Sequence, residues 1–340
     1  MTEEKVICCN CEEEEALKDY PTDLCKNCRE AYIKYPVPMW IKALSVIVLI
    51  VVIFSLMHFK SSLIGAVNYE RGLKAEKELK YVTAQNAYKK ALDQFPKSEL
   101  LKSRLFIASV KGDNLDESDK IYDEILEITY YDSDKDLFNE VQTAVDLYGK
   151  HFFITEEIEK IIGNETLSMS QVISTIENLT KSNKSENSCG AYYYLGTAYY
   201  ANGEYEKAIS AFNSAYSINP EIYFFKIPIA TCYSDLDNYE KAKEVLKETF
   251  IFNKEYGPAY VSLSFINLKE HNYDEALKNA KEAYSINKNN LNAIEAIVIS
   301  NHYLKNENER DKYIKILEEN NYSDIDRVKD IVNGKIKDYE

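Results

Sequence analysis

The sequence predicts an all-α chain, a stack of helical hairpins preceded by one membrane-crossing helix and a small cysteine-held module. Three observations carry that expectation. A six-residue phrase recurs every 34 residues, as Gly203-Glu204-Tyr205-Glu206-Lys207-Ala208, Asp237-Asn238-Tyr239-Glu240-Lys241-Ala242 and His271-Asn272-Tyr273-Asp274-Glu275-Ala276. A fixed period of that length marks stacked units, none of which can bury its apolar face alone. One long run, Met39 to Phe59, is apolar, and five of the seven cysteines fall within the first 28 residues. Glycine and proline are scarce, at 10 and 7 of 340 residues, which suits helices.

Residues 1–35 hold the cysteine module. Cys8 and Cys11 form one C-x2-C pair and Cys25 and Cys28 another, with 13 residues between the pairs. Two pairs at that distance can set four thiolates tetrahedrally around a zinc ion. A segment this short cannot fold on an apolar core of its own. The first pair is expected in a knuckle, and the second opens a short helix running to Tyr35. The pattern resembles a zinc-knuckle or treble-clef-like module, although no glycine follows the second cysteine of either pair. The resemblance implies structural Zn on Cys8, Cys11, Cys25 and Cys28. Two disulfides, which leave Cys9 odd, and a thiol redox switch using Cys9 stay open as alternatives; nothing selects iron. The acidic run Glu12 to Glu15 reads as a solvated loop.

Residues 36–60 combine a proline-containing linker with the span at 39–59. Tyr35-Pro36-Val37-Pro38 breaks any preceding helix. Ala43 to Met57 carries no charge, and about 20 residues of helix cross the hydrocarbon layer. Trp40 and Lys42 mark one edge, and His58, Phe59 and Lys60 the other. The run is too long and starts too late for a cleaved signal. Lys26, Arg29, Lys34 and Lys42 outnumber Lys60, Arg71 and Lys74 by one, and zinc thiolates persist best in reducing cytosol. The expectation is a single-pass cell-membrane protein with a cytoplasmic N-terminus and extracytoplasmic repeats.

Residues 189–222 give the repeat its clearest form. Leu195 and Tyr199 share a face of a first helix, and Ala208, Phe212 and Ala215 a face of a second. Gly196 and Ala208 are small enough for close approach, Asn202-Gly203 supplies the turn, and Pro220 stops the second helix. With Tyr192, these residues resemble the tetratricopeptide repeat. The resemblance implies a TPR-type α-solenoid with units at 189–222, 223–256, 257–290 and 291–324 and a cap or tail at 325–340. Ala242 and Ala276 repeat the place of Ala208, whereas Arg310 replaces it in the fourth unit, which reads as a terminal cap with one wetted face. Gly72, Ala84, Tyr88, Ala91 and Pro96, then Leu105, Tyr122 and Leu126, fit a degenerate pair of units over 65–132. Residues 133–188 leave the register and read as an irregular helical bridge, closed by a polar loop from Lys181 to Ser188.

The resemblance also implies a concave groove lined by first helices. Its candidates are Tyr193, Thr197, Tyr200, Ile227, Thr231, Val261, Phe265, Leu268, Ile299 and His302. The Lys, Asn and Arg set that clamps a C-terminal carboxylate elsewhere in the family is missing from these positions. The groove reads as aromatic and apolar, suited to an extended peptide or an amphipathic helix. The formal charge of −15 divides as −4 before residue 39, +1 at Lys42 and −12 after residue 59, which argues against a nucleic-acid partner. No nucleotide, zinc-protease or hydrolase motif is present. Asp132, Asp134 and Asp136 imitate a calcium loop, but Leu137 and Thr143 stand where glycine and glutamate are needed. Cys189 and Cys232 read as small core residues.

No enzyme is expected. The leading function is a membrane-anchored scaffold or adaptor that binds a protein or peptide. The alternative is a transmembrane metal- or redox-responsive signalling protein using the cysteine module.

Overall fold

The computed structural model describes residues 5–18, 20–34, 37–130, 134–151, 156–164, 166–182 and 188–336. Tyr35, Pro36, Asp132, most of the 181–188 loop and the end of the tail lie outside them. The chain divides into two compact units, Met1–Ile64 and Gly65–Glu340.

In the first unit the backbone doubles back once. Ala16 N–H donates to the Val6 carbonyl (2.8 Å) and Cys8 N–H to that of Glu14 (2.8 Å). The turn closes through Glu12 N–H to the Cys8 carbonyl (2.9 Å), with Glu12 at φ 59°. A knuckle therefore forms, and its left-handed residue is a glutamate. Helix α1, Lys26–Lys34, follows. Helix α2, Met39–Lys77, begins directly after Pro38. Its apolar stretch is long enough to cross a membrane, with a mean hydropathy of 2.6, and none of that window is buried against protein. The helix continues past Lys60, the expected edge of the span. It runs unbroken into the first hairpin, because Ser61, Ser62 and Gly65 remove no backbone hydrogen bond.

The second unit is a succession of helical hairpins. The upstream helices are α3 (Tyr81–Leu92), α4 (Glu99–Lys111) and α5 (Leu115–Glu127). The irregular region holds α6 (Lys135–His151), α7 (Glu156–Ile162) and α8 (Met169–Ser182). Next come α9 (Ser188–Ala201), α10 (Tyr205–Ile218), a 3-10 turn at Tyr223–Phe225, α11 (Lys226–Asp235) and α12 (Tyr239–Thr249). The last five are α13 (Gly257–Lys269), α14 (Tyr273–Ile286), α15 (Leu291–Tyr303), α16 (Glu307–Glu319) and α17 (Ile325–Val332).

One turn design recurs. Leu79 and Asp113, then Gly203, Asp237, His271 and Lys305, have φ between 57° and 75°, and each set keeps the 34-residue step. The residue after each sends its N–H back to a carbonyl of the preceding helix: Lys80 to Ala75 (2.8 Å), Asn114 to Ser109 (2.9 Å), Glu204 to Tyr199 (2.9 Å), Asn238 to Tyr233 (2.8 Å), Asn272 to Asn267 (2.8 Å) and Asn306 to Asn301 (2.8 Å). This is the Schellman ending, which satisfies carbonyls that a helix end leaves free. Asn114 and Asn238 also cap the next helix, accepting from Glu117 and Lys241 N–H.

Packing inside each hairpin follows a size exchange. A Cβ on Gly196 would sit 2.7 Å from the Phe212 ring, and one on Gly72 only 2.2 Å from that of Tyr88. Ala230 faces the same place as Gly196 one period on, with Leu246 where Phe212 was, and then Ser264 with Ala280; all four are fully buried. Ala208, Ala242, Ala276 and, upstream, Ala84 and Ser118 are also fully buried. Ala215 is at zero exposure, while Pro220 lies at the surface beyond α10.

One expectation needs correction. Leu126 is 59% exposed and Ile125 is buried in its place, a slip of one residue in the faint second upstream unit. In the fourth unit residues 293–301 of α15 are all buried, packed by α13, α14, α16 and α17, whereas α16 buries only Tyr313 and Leu317 and leaves Glu307, Asp311, Lys315 and Glu318 exposed, so the unit keeps one wetted face. The amphipathic α17, in the 325–340 tail, lays Val328 and Ile331 against that core and finishes the stack.

Gly72→Ala should destabilise the protein by about 1–3 kcal/mol through overpacking against Tyr88, despite alanine's better helix propensity. Thermal unfolding of the variant checks this; a neutral or stabilising result would remove close ring approach as the constraint.

Candidate functional site

A cavity of about 460 Å³ opens in the second unit. Helix α9 supplies Tyr193, Thr197 and Tyr200, which share a face at i, i+4 and i+7. Helix α11 supplies Ile227, Pro228 and Thr231; Phe212, Phe224, Tyr256 and Pro258 complete the apolar wall. The hydroxyls of Thr197 and Thr231 donate to the carbonyls of Tyr193 (3.1 Å) and Ile227 (3.0 Å) in their own helices. Their methyl groups are left to add to the apolar surface. Tyr193 is held among Phe212, Phe224 and Phe225, with ring centroids 5.6–5.7 Å apart. Tyr200 donates to Asp235 (2.8 Å), which also accepts from Lys269 (2.9 Å).

One lining residue comes from far upstream. Asp113, in the α4–α5 turn, accepts from the Tyr256 hydroxyl at 3.0 Å. The turn is fixed by Tyr223, whose hydroxyl donates to the Lys111 carbonyl (3.1 Å), and by Asn253, which donates to Tyr223 (3.1 Å) and to the Gly112 carbonyl (3.5 Å). Lys254 N–H donates to the Leu79 carbonyl (2.9 Å), and Thr83 N–H to Glu255 (2.8 Å). Two upstream turns are thus bonded to the segment between α12 and α13. Burial pushes the Tyr223 and Tyr256 hydroxyls well above the usual tyrosine range, with the Asp113 charge adding to it.

Of the ten groove candidates, Tyr193, Thr197, Tyr200, Ile227 and Thr231 share this cavity. Val261, Phe265 and His302 are half-buried elsewhere in the array. Burial lowers the His302 pKa, and Arg310 adds to the effect. Leu268 and Ile299 have no exposure and present nothing to a ligand. They fall on the packing side of α13 and α15, since both helices are covered on two faces. Asp113, Tyr256 and Phe224 escaped sequence reasoning. Asp113 lies outside the 189–324 repeats, Phe224 precedes the first helix of its unit, and Tyr256 closes its unit just before α13.

The cysteine module is a second site. Only Cys8, Ala16 and Cys25 are buried among its described residues, so sulfur atoms take the place of an apolar core. The sulfurs of Cys8, Cys11, Cys25 and Cys28 lie within 4.8 Å of one another, and Cys11 and Cys25 are 3.8 Å apart. A tetrahedral thiolate site with Zn–S bonds near 2.3 Å has sulfur–sulfur edges of about 3.8 Å. The donor set fits that ion. Cys28 N–H donates to Cys25 Sγ (3.4 Å) and Asn10 Nδ2 to Cys28 Sγ (3.3 Å). The Cys8 thiol is drawn down to about 6, chiefly by the backbone hydrogen bond from Cys25. Cys9 is exposed and outside the cluster. Cys189 and Cys232 are fully buried, and burial pushes their thiols up to about 11 and about 12.

Residues 189–222 match the Tetratricopeptide repeat family model, and that segment is a tetratricopeptide repeat. No curated protein matches the chain in sequence. Among solved structures it is similar to MamA, at 17% identity over 46% of this chain and 86% of that one, with a TM-score of 0.37. It is also similar to YrrB, described as a TPR protein with an unusual peptide-binding site, at 17% identity over 43% and 75% of the two chains, with a TM-score of 0.34. A tetratricopeptide repeat protein from Parabacteroides merdae ATCC 43184 matches at 13% identity over 75% and 79%, with a TM-score of 0.38.

Tyr256→Phe removes the hydroxyl that reaches Asp113 and should cost about 1.5–3 kcal/mol, the range for a hydrogen bond to a charged group. Urea unfolding should show that loss; an unchanged midpoint would mean that the upstream turn is held elsewhere.

Proposed function

We propose that this chain is a membrane-anchored scaffold whose helical repeats capture a protein or peptide partner in the aromatic cavity. The observation that carries the reading is the convergence of Tyr193, Thr197, Tyr200, Ile227 and Thr231 on one opening. Cavities of this size lined by apolar and aromatic side chains with a few polar groups are ordinary ligand sites. The apolar part of α2, near 39–59, is assigned the role of anchor, supported by its length and by the exposure of its apolar window. Anchoring works by raising the local concentration of whatever docks. The N-terminus is placed in the cytoplasm and the repeats outside it, on the lysine and arginine balance and on the thiolate chemistry of the module.

The cysteine module is assigned a structural zinc on Cys8, Cys11, Cys25 and Cys28. The ion would supply the cohesion that three buried residues cannot, and Asn10 and the Cys28 amide would orient the sulfurs.

Two experiments test these assignments. A photo-crosslinker at Thr197 in intact cells should give a discrete adduct that Tyr200→Ala abolishes, and external protease should then digest the repeats while sparing an N-terminal tag. An identical yield from exposed Lys281, or a protected repeat domain, would contradict the cavity or the topology respectively. Purified protein should carry about one zinc per chain, and Cys11→Ser should release it. Full metal retention in that variant would remove the four-sulfur site.

A further inference from the structure

The walls of the cavity have a charge bias that its general use as a docking site does not require. Tyr193, Tyr200, Phe212, Phe224 and Tyr256 contribute rings, Asp113 contributes the only carboxylate, and no lysine or arginine is among the described lining residues. Aromatic faces are the negative side of a quadrupole, and with one carboxylate and no lysine or arginine in the described lining the balance of charge favours a cation over an anion. The nearby lysine, Lys269, is already paired with Asp235 at 2.9 Å. Lys111, two residues before Asp113, is not among the lining residues.

Asp113 is positioned rather than free to swing. Its backbone is in the left-handed turn at φ 58°, one carboxylate oxygen accepts from Tyr256, and the other faces His151 Nε2 at 3.4 Å. The upstream turn is locked to the repeats through Tyr223 and Asn253. A fixed anion beside clustered rings gives a preorganised place for a flat, weakly hydrated cation. Of the two basic side chains, arginine matches that description better, since a guanidinium is planar, stacks on rings and loses less hydration than an ammonium. The net charge of −15 on the chain adds a long-range bias towards basic partners.

We propose that the cavity receives an arginine side chain from an extended segment of the partner, with the guanidinium held by Asp113 and the tyrosine faces and flanking apolar residues against Ile227 and Pro228. This rests on the reading of the cavity as a docking site and names what docks there. The probe is the capped peptide acetyl-Gly-Leu-Arg-Leu-Gly-amide, with a counterpart in which neutral, nearly isosteric citrulline replaces arginine. Both are titrated against the full chain in detergent, with saturation-transfer NMR reading the peptide protons.

The arginine peptide should bind roughly tenfold more tightly than the citrulline peptide. Asp113→Asn should remove that margin, since asparagine tolerates the same backbone and can still accept from Tyr256. Thr197→Lys, at an exposed rim position, should abolish arginine binding without disturbing the core. Equal binding of the two peptides would overturn the arginine inference and leave the docking site standing. So would silence from both peptides when the Thr197 crosslink still forms. Silence from both together with loss of the crosslink would overturn the docking site and the inference alike.

Discussion

A helical hairpin is too thin to hide its own apolar side, and the architecture of the second unit follows from that constraint. Each pair must close tightly within itself and then lean on a neighbour. Closure inside the pair depends on letting one large side chain reach the backbone of the facing helix. Gly72 under Tyr88 and Gly65 under Phe95 are the tightest cases, Gly196 under Phe212 is close behind, and Ala230 under Leu246 relaxes both sides of the same exchange. Energetics of this kind are local, so stability accumulates pair by pair and the ends need separate covers. Helix α17 supplies one cover. At the other end of the downstream repeats, Ile158 and Ile161 of α7 and Ile173 and Ile176 of α8 join the core that includes α9 and α10.

The period was legible because it is imposed at two kinds of position that sequence displays well. Small residues recur at Ala208, Ala242 and Ala276, and turn residues recur at Gly203, Asp237 and His271. Leu79 and Lys305 occupy the same turn position with residue types that announce no turn, since the Schellman hydrogen bonds fix them in spite of side-chain preference. Leu126 failed for a related reason. Only the step from Ala91 in the neighbouring weak unit, 34 residues earlier, distinguishes Ile125 from Leu126, and two apolar residues side by side hide so faint a register.

The candidate sites divide in the same way. The cysteine spacing exposed all four sulfurs, because their clustering depends on local chain geometry. Half of the groove candidates reached the cavity, because the i, i+4, i+7 spacing on α9 is a property of one helix. Leu268 and Ile299 did not, because which face of a helix is covered depends on its neighbours. Asp113 was out of reach altogether. Its role exists only because Tyr223, Asn253 and Tyr256 tie the upstream turn to the downstream array across more than a hundred residues of chain. That contact converts an apolar groove into a cavity with one fixed negative charge.

The central claim is that the upstream hairpins and the downstream repeats share one turn design and are bonded together through Tyr223, Asn253 and Tyr256. Native-state amide hydrogen exchange on the full chain tests it most directly. The amides of Lys80 and Asn114 should be protected to the same degree as those of Glu204, Asn238 and Asn272. Rapid exchange at Lys80 and Asn114 beside slow exchange at the other three would contradict the account.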